Sequence, residues 1–361
     1  MFRRLTISLL STIALAPHAS AAGPTIAVVA PVTGPFAILG DQIREGARFA
    51  AATDAFDVVE IGEACDEVGD KTIAQSILSA GATAAIGFLC TEDLQAALPA
   101  LADAGVPAIT LSVRSGVLME DALKRDWPLF RLAPGPGMEA QKVSDVIAST
   151  WAAEPFALID DGTIHARELV EAIRLKLEEK GMKPVFVDTF RPAQEQQIGL
   201  VRRLAKAGAT RVFVGGDRGD MAVIVRDARA ERLPLSFMGG EAMMAADATV
   251  ALPDGTQAIV LPIDSATPES AALAMTMKEA GFVAEGYVFP AYAATTLVGK
   301  GAATAASAGK TLPDILAADT FPTVLGTIGF GADHELRDNP YLLMEWKHDR
   351  FTPVLPPIEG D

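Results

Sequence analysis

Cysteine, histidine and aromatic residues are scarce in this chain, and long apolar runs are missing. Two cysteines and four histidines stand among 361 residues, and aromatics make up 6%. Beyond the first 21 residues there is no stretch of about 18 uninterrupted apolar residues, which excludes an ordinary membrane-spanning helix. Histidine is too sparse for the common catalytic and metal patterns. No G-x-S-x-G, H-E-x-x-H or G-x-x-x-x-G-K-[ST] pattern occurs, and His165, His334 and His348 are far apart. His334 and His348 read as surface residues. The carboxylate pairs Glu92-Asp93 and Asp160-Asp161 are adjacent in sequence. That spacing does not aim two acids at one substrate, so they read as structural charge and helix caps. No enzyme, cofactor or metal site is expected.

Base is scarcer than acid. Lys and Arg number 30 against 46 Asp and Glu, for a formal charge of −16. A chain this acidic repels nucleic acid and anionic lipid, and it favours a soluble monomer. Residues 1–21 read as a secretory signal peptide: Arg3 and Arg4, an apolar run from Leu5 to Leu15, then the small-residue cleavage site Ala19-Ser20-Ala21. Its loss removes two arginines and no acid, taking the formal charge from −16 to −18. No cysteine follows the apolar run, so no lipid anchor is expected. The mature protein is expected to be soluble and exported through the Sec pathway. In an oxidising compartment two cysteines most often pair. Cys65 and Cys90 would close a loop of about 25 residues, worth roughly 3 kcal/mol. A reactive thiol or a metal ligand are the rival readings.

The pattern alternates strand and helix. Thr25–Val29, Val58–Ile61, Ala84–Leu89, Ala108–Leu111, Phe156–Asp160 and Val185–Phe190 read as strands. They are continuous apolar runs, which suit parallel sheets covered on both faces. Helices fall at Asp41–Ala52 and Lys71–Ala80. Two more are carried by Leu94, Ala97, Leu98 and Leu101 and by Met221, Ile224, Val225 and Ala228. The Ala/Gly-rich "GAATAASAGK" after residue 300 reads as a helix end and loop. The sequence also echoes itself. Ala80-Gly81-Ala82-Thr83 and Ala207-Gly208-Ala209-Thr210 each stop a helix before a strand, and the strand after that begins near Pro107 or Pro234. Two related α/β lobes follow. Candidate crossings between them are Arg131–Gly137, Gln257–Ile263 and Gly329–Asp333. The limits read as 24–131 plus 263–329 for lobe one, and 134–260 plus 333–361 for lobe two.

Five stretches carry a family resemblance: "IAVVAPVTGPFAILGDQIREGARFA", "ACDEVGD…IGFLCTED", "VFVGGDRGDMAVIVRDARAERLPLSFMGGEAM", "YVFPAYAAT" and "TVLGTIGF". In order and spacing the chain resembles the leucine/isoleucine/valine-binding protein group of type I periplasmic binding proteins, the receptors of ABC importers. The resemblance covers nearly all of the mature chain. It implies two Rossmann-like lobes with parallel sheets, joined by a three-crossover hinge, and a ligand held in the cleft. It also implies a first-lobe disulfide at Cys65 and Cys90.

Ligands of such sheets bind beyond the carboxyl ends of the strands. The resemblance gives Thr91 as the hydroxyl that holds an α-carboxylate; the plainer reading is a helix cap. Ser112 matches the family's small residue. Arg114 departs from it, standing where a hydroxyl is usual, and a guanidinium can clamp a carboxylate. Its plainer reading is a pair with Glu92, Asp93 or Asp217. Glu241 matches the acid that meets an ammonium, and Asp217 stands where an aromatic or acidic residue is common. His165 replaces a tyrosine, and Leu39 an aromatic. Tyr287 and Phe289 are expected to line the cleft. Losing two aromatics argues against both a plain leucine pocket and an aromatic cage. The expectation is a periplasmic receptor that closes on an amino acid or another carboxylate and hands it to importer membrane subunits. A sensor of the same fold and a secreted hydrolase are the alternatives.

Overall fold

The computed structural model describes residues 23–354 apart from 55, 67, 246–249 and 263–266. The signal peptide, the end of the second expected crossing and the last residues of the expected second lobe lie outside the described residues.

Five parallel strands form the first sheet: β1 (Thr25–Pro31), β2 (Asp57–Glu63), β3 (Ala84–Gly87), β4 (Ala108–Thr110) and β5 (Leu129–Arg131), in the order β2-β1-β3-β4-β5. The central strands are buried at nearly every residue, whereas the edge strand β2 alternates between covered and open positions. Central parallel strands need apolar residues on both faces, and an edge strand does not.

The second sheet contains β6 (Phe156–Asp160), β7 (Phe186–Thr189), β8 (Arg211–Gly215), β9 (Ser236–Gly239) and β10 (Gln257–Val260). Its parallel part runs β7-β6-β8-β9-β10, the same doubly wound order as the first sheet. The internal echo has this physical basis. Gly81 and Gly208 both take positive φ, +65° and +81°, one residue past their helix C-caps. The next residues, Ala82 and Ala209, donate back to Ile77 and Leu204 in matching helix stops.

Four strands escaped the sequence pattern in their pairing. A small hairpin joins β11 (Thr320–Thr323) to β12 (Gly326–Gly329). The strand β13 (Leu342–Lys347) pairs antiparallel with β10, and β14 (Arg350–Pro353) pairs antiparallel with β13. The second sheet is therefore mixed.

Each sheet has its own core on both faces. The chain passes between them three times: after β5, after β10, and before β13. The helix Val288–Ala308 packs on the first sheet's core through Ala294, Leu297 and Val298. In the third passage Phe330 and Leu336 still pack on the first core. The chain thus leaves that lobe only after Leu336.

Candidate functional site

The end of β3 shows how adjacent acids divide their work. Cys90 is bonded to Cys65. It is also the N-cap residue of the helix Thr91–Asp103, so Thr91 is the first helical residue and not the cap. Glu92 points outward. Asp93 is fully buried and accepts the backbone N–H groups of Cys65 at 3.0 Å and Asp70 at 2.7 Å. A helix turns about 100° per residue, so neighbours cannot share a face. Beneath them Glu63 accepts the Leu89 N–H at 2.7 Å. Burial, with a contribution from Asp93, pushes its carboxyl up to about 7. Glu63, Cys65, Cys90 and Asp93 bring ligand atoms within 4.8 Å of one another. Their sulfurs are joined to each other, so no thiolate is offered to a metal.

The polar centre of the cleft is built elsewhere. Arg114, beyond β4, reaches across to Glu241 in the short turn after β9. Its Nη1 and Nη2 donate to the two carboxylate oxygens at 3.0 and 2.9 Å. The Tyr341 hydroxyl, from the third passage, also donates to Glu241 Oε2. Behind them the Glu241 N–H donates to Glu139 Oε1 at 2.7 Å. Burial alone would raise the Glu241 carboxyl, but the guanidinium and the phenol outweigh it and hold it below the usual range. Burial raises Glu139, and burial next to the Glu241 charge raises the Tyr341 phenol.

Beside this cluster lies a cavity of about 470 Å³, a size suited to a small ligand. Ser112, Arg114, Glu241 and Tyr287 are among its polar walls, and Leu132, Leu261, Leu325 and Ile328 among its apolar ones. All three passages contribute to the lining. The Tyr287 hydroxyl donates to Ser112 Oγ at 3.0 Å.

Four of the expected site residues, Ser112, Arg114, Glu241 and Tyr287, meet at one cavity. Thr91, His165 and Asp217 stand at the ends of β3, β6 and β8 and do not line it. Asp217 is the N-cap of the helix Arg218–Ala230 and accepts the Asp220 N–H at 2.8 Å. His165 is exposed in the first turn of the helix Ile164–Glu179. Phe289 is fully buried in the core and does not line the cavity, since its helix turns it away from the face that carries Tyr287 and Pro290. His348 is exposed, but His334 is not a plain surface residue. It stacks on Phe130 with ring centroids 4.3 Å apart, and its Nδ1 lies 3.0 Å from the Leu129 carbonyl.

Sequence reasoning missed Glu139 and Tyr341, and it missed a buried ion pair. Arg131 is fully buried at the end of β5 and pairs through two nitrogens with Glu335 of the third passage. Its Nη1 also donates to the carbonyls of Val113 and Ser115, at 3.4 and 3.3 Å. One guanidinium therefore ties the loop carrying Ser112 and Arg114 to the third crossing. The partners are 204 residues apart, and no local pattern announces them.

Two sheets of one strand order, three passages between them and a cavity against the passages define a solute-binding architecture. A family model described as periplasmic binding protein matches residues 24–350. The chain belongs to that family. It is 26% identical over 338 residues to the leucine-, isoleucine-, valine-, threonine- and alanine-binding protein of Pseudomonas aeruginosa, with 90% of each chain covered. A Rhodospirillum rubrum structure assigned as a branched-chain amino acid ABC transporter superposes with a TM-score of 0.76 at 15% identity, over 92% of this chain and 100% of that one. A solute-binding protein of Rhodopseudomonas palustris HaA2, in complex with p-hydroxybenzoic acid, gives a TM-score of 0.62 at 16% identity, over 91% and 95%. The relatives are solute-binding proteins, and the family implies a periplasmic location.

Proposed function

We propose that the protein is the periplasmic receptor of an ABC importer, and that it closes its two lobes around a small amino acid or carboxylate-bearing compound. The observation that carries this reading is the cavity. Its mostly apolar walls come from both lobes and all three passages, and four polar side chains converge on one side. Ser112, Arg114 and Tyr287 act from lobe one, and Glu241 from lobe two. Thr91 and His165 are reached only by a part of the ligand that leaves the cavity, and Asp217 is already engaged as a cap. The units that move are 24–131 plus 263–336 and 134–260 plus 337–361, so the third boundary falls at Leu336 and not at the expected Gly329–Asp333. A ligand that touches both lobes only when they are closed shifts the population toward the closed form, which the membrane subunits then recognise. The account requires binding and no covalent step.

A thermal-shift panel of amino acids, carboxylates, amides and aromatic acids tests the reading. A true ligand at about 100 times its Kd adds about 2.7 kcal/mol. A panel that leaves the melting temperature unmoved, or a compound that is turned over, counts against it.

A further inference from the structure

Among the described residues, the acids on the cavity wall are Glu241 and Asp338. Asp338 is exposed, so water screens it. Glu241 is fully engaged: one oxygen takes Arg114 Nη2, and the other takes Arg114 Nη1 and the Tyr341 hydroxyl. The third acid nearby, Glu139, accepts the Glu241 N–H from behind and does not line the cavity. An ammonium entering here would have to displace a two-pronged guanidinium, a strong and geometrically specific partner for a carboxylate.

The donors are in the opposite condition. Arg114 Nε–H has no protein acceptor among the described residues, because the contacts of this side chain run through its two terminal nitrogens. Ser112 Oγ accepts from Tyr287, and its own proton has no protein acceptor among the described residues. Both residues line the cavity, whose remaining wall is largely leucine, isoleucine and proline.

We propose that Arg114 is the built-in counter-ion of Glu241, and that the cavity therefore selects a small carboxylate with an apolar body and no ammonium group. This rests on the receptor reading above and chooses between its two ligand classes. Arg114 is the specificity-determining residue. It fills from within the place an amine would take, and it presents its free edge with Ser112 to the ligand's carboxylate.

Matched pairs of probes test this by calorimetric titration of the mature protein: 4-methylpentanoate against leucine, and 3-phenylpropanoate against phenylalanine. The wild type is expected to bind at least one amine-free member more tightly than its amino-acid partner, by about tenfold or more. Arg114→Ser frees Glu241 and is expected to improve amino-acid binding by about tenfold while weakening the amine-free acid. Arg114→Lys keeps the charge and the wild-type preference. Equal or tighter binding of the amino acids by the wild type overturns the proposal, as does an Arg114→Ser protein that folds and gains nothing for amines. Silence from all four probes also overturns it. A shift by some other class in the broader panel would then leave the receptor reading standing.

Discussion

Substituting Glu63 by glutamine changes the pH dependence of stability in a direction that is unusual for a carboxylate. Glu63 closes β2, is 5% exposed, and its Oε2 has no partner among the described residues. Burial is the main reason its carboxyl rises from an ordinary 4.5 to about 7; the neighbouring Asp93 adds to this, and the Leu89 N–H opposes it. Between those two values the folded protein holds a proton that the unfolded chain has released. Stability therefore falls as pH rises through this window, and the loss is complete above the folded value. The shift corresponds to on the order of 3 kcal/mol. Glutamine keeps an acceptor for the Leu89 N–H and cannot ionise. Urea unfolding of wild type and Glu63→Gln from about pH 5 to about pH 8 isolates this group, because every other titrating residue is common to both. The variant is expected to gain on the wild type by up to about 3 kcal/mol across that range. A difference between the two that stays flat with pH would refute the reasoning, because Glu63 would then be ionised in the fold at no cost.

Three further outcomes follow from the same structure. Replacing Cys65 and Cys90 by serine should cost about 3 kcal/mol in urea unfolding, and unchanged melting under strong reductant would contradict the bond's role. Arg131→Met should cost about 3–5 kcal/mol, because it strands the Glu335 charge, and adding Glu335→Leu should recover much of it. A double-mutant cycle in denaturant reads that coupling. Asp217→Ala removes a helix cap and should lower stability by about 1 kcal/mol in the same assay.

The parallel strands were legible because burial on both faces demands unbroken apolar runs, as in "TIAVV" and "FALID". The helix stops were legible because Gly81 and Gly208 take a conformation that other residues avoid. The antiparallel partner of β10 was not legible, since pairing depends on where the third passage returns the chain. The site was legible residue by residue and not in its wiring. Arg114 and Glu241 each stood out at a strand end, as partners for a ligand or for nearby acids, yet they bind each other across 127 residues. Glu92 and Asp93 looked alike on paper, and only the helix phase sends one outward and the other onto two backbone N–H groups. Tyr341, Glu139 and Glu335 carry no motif, and their roles come entirely from what the fold places beside them.

The central claim is that the cavity at Ser112, Arg114, Glu241 and Tyr287 holds a small molecule. Isothermal titration of whichever panel compound raises the melting temperature, into wild type and Ser112→Leu, tests it most directly. The larger side chain intrudes on the cavity and removes a hydroxyl, so affinity should fall by about 100-fold or more. A Ser112→Leu protein that binds the compound as tightly as the wild type would place the ligand elsewhere and contradict the account.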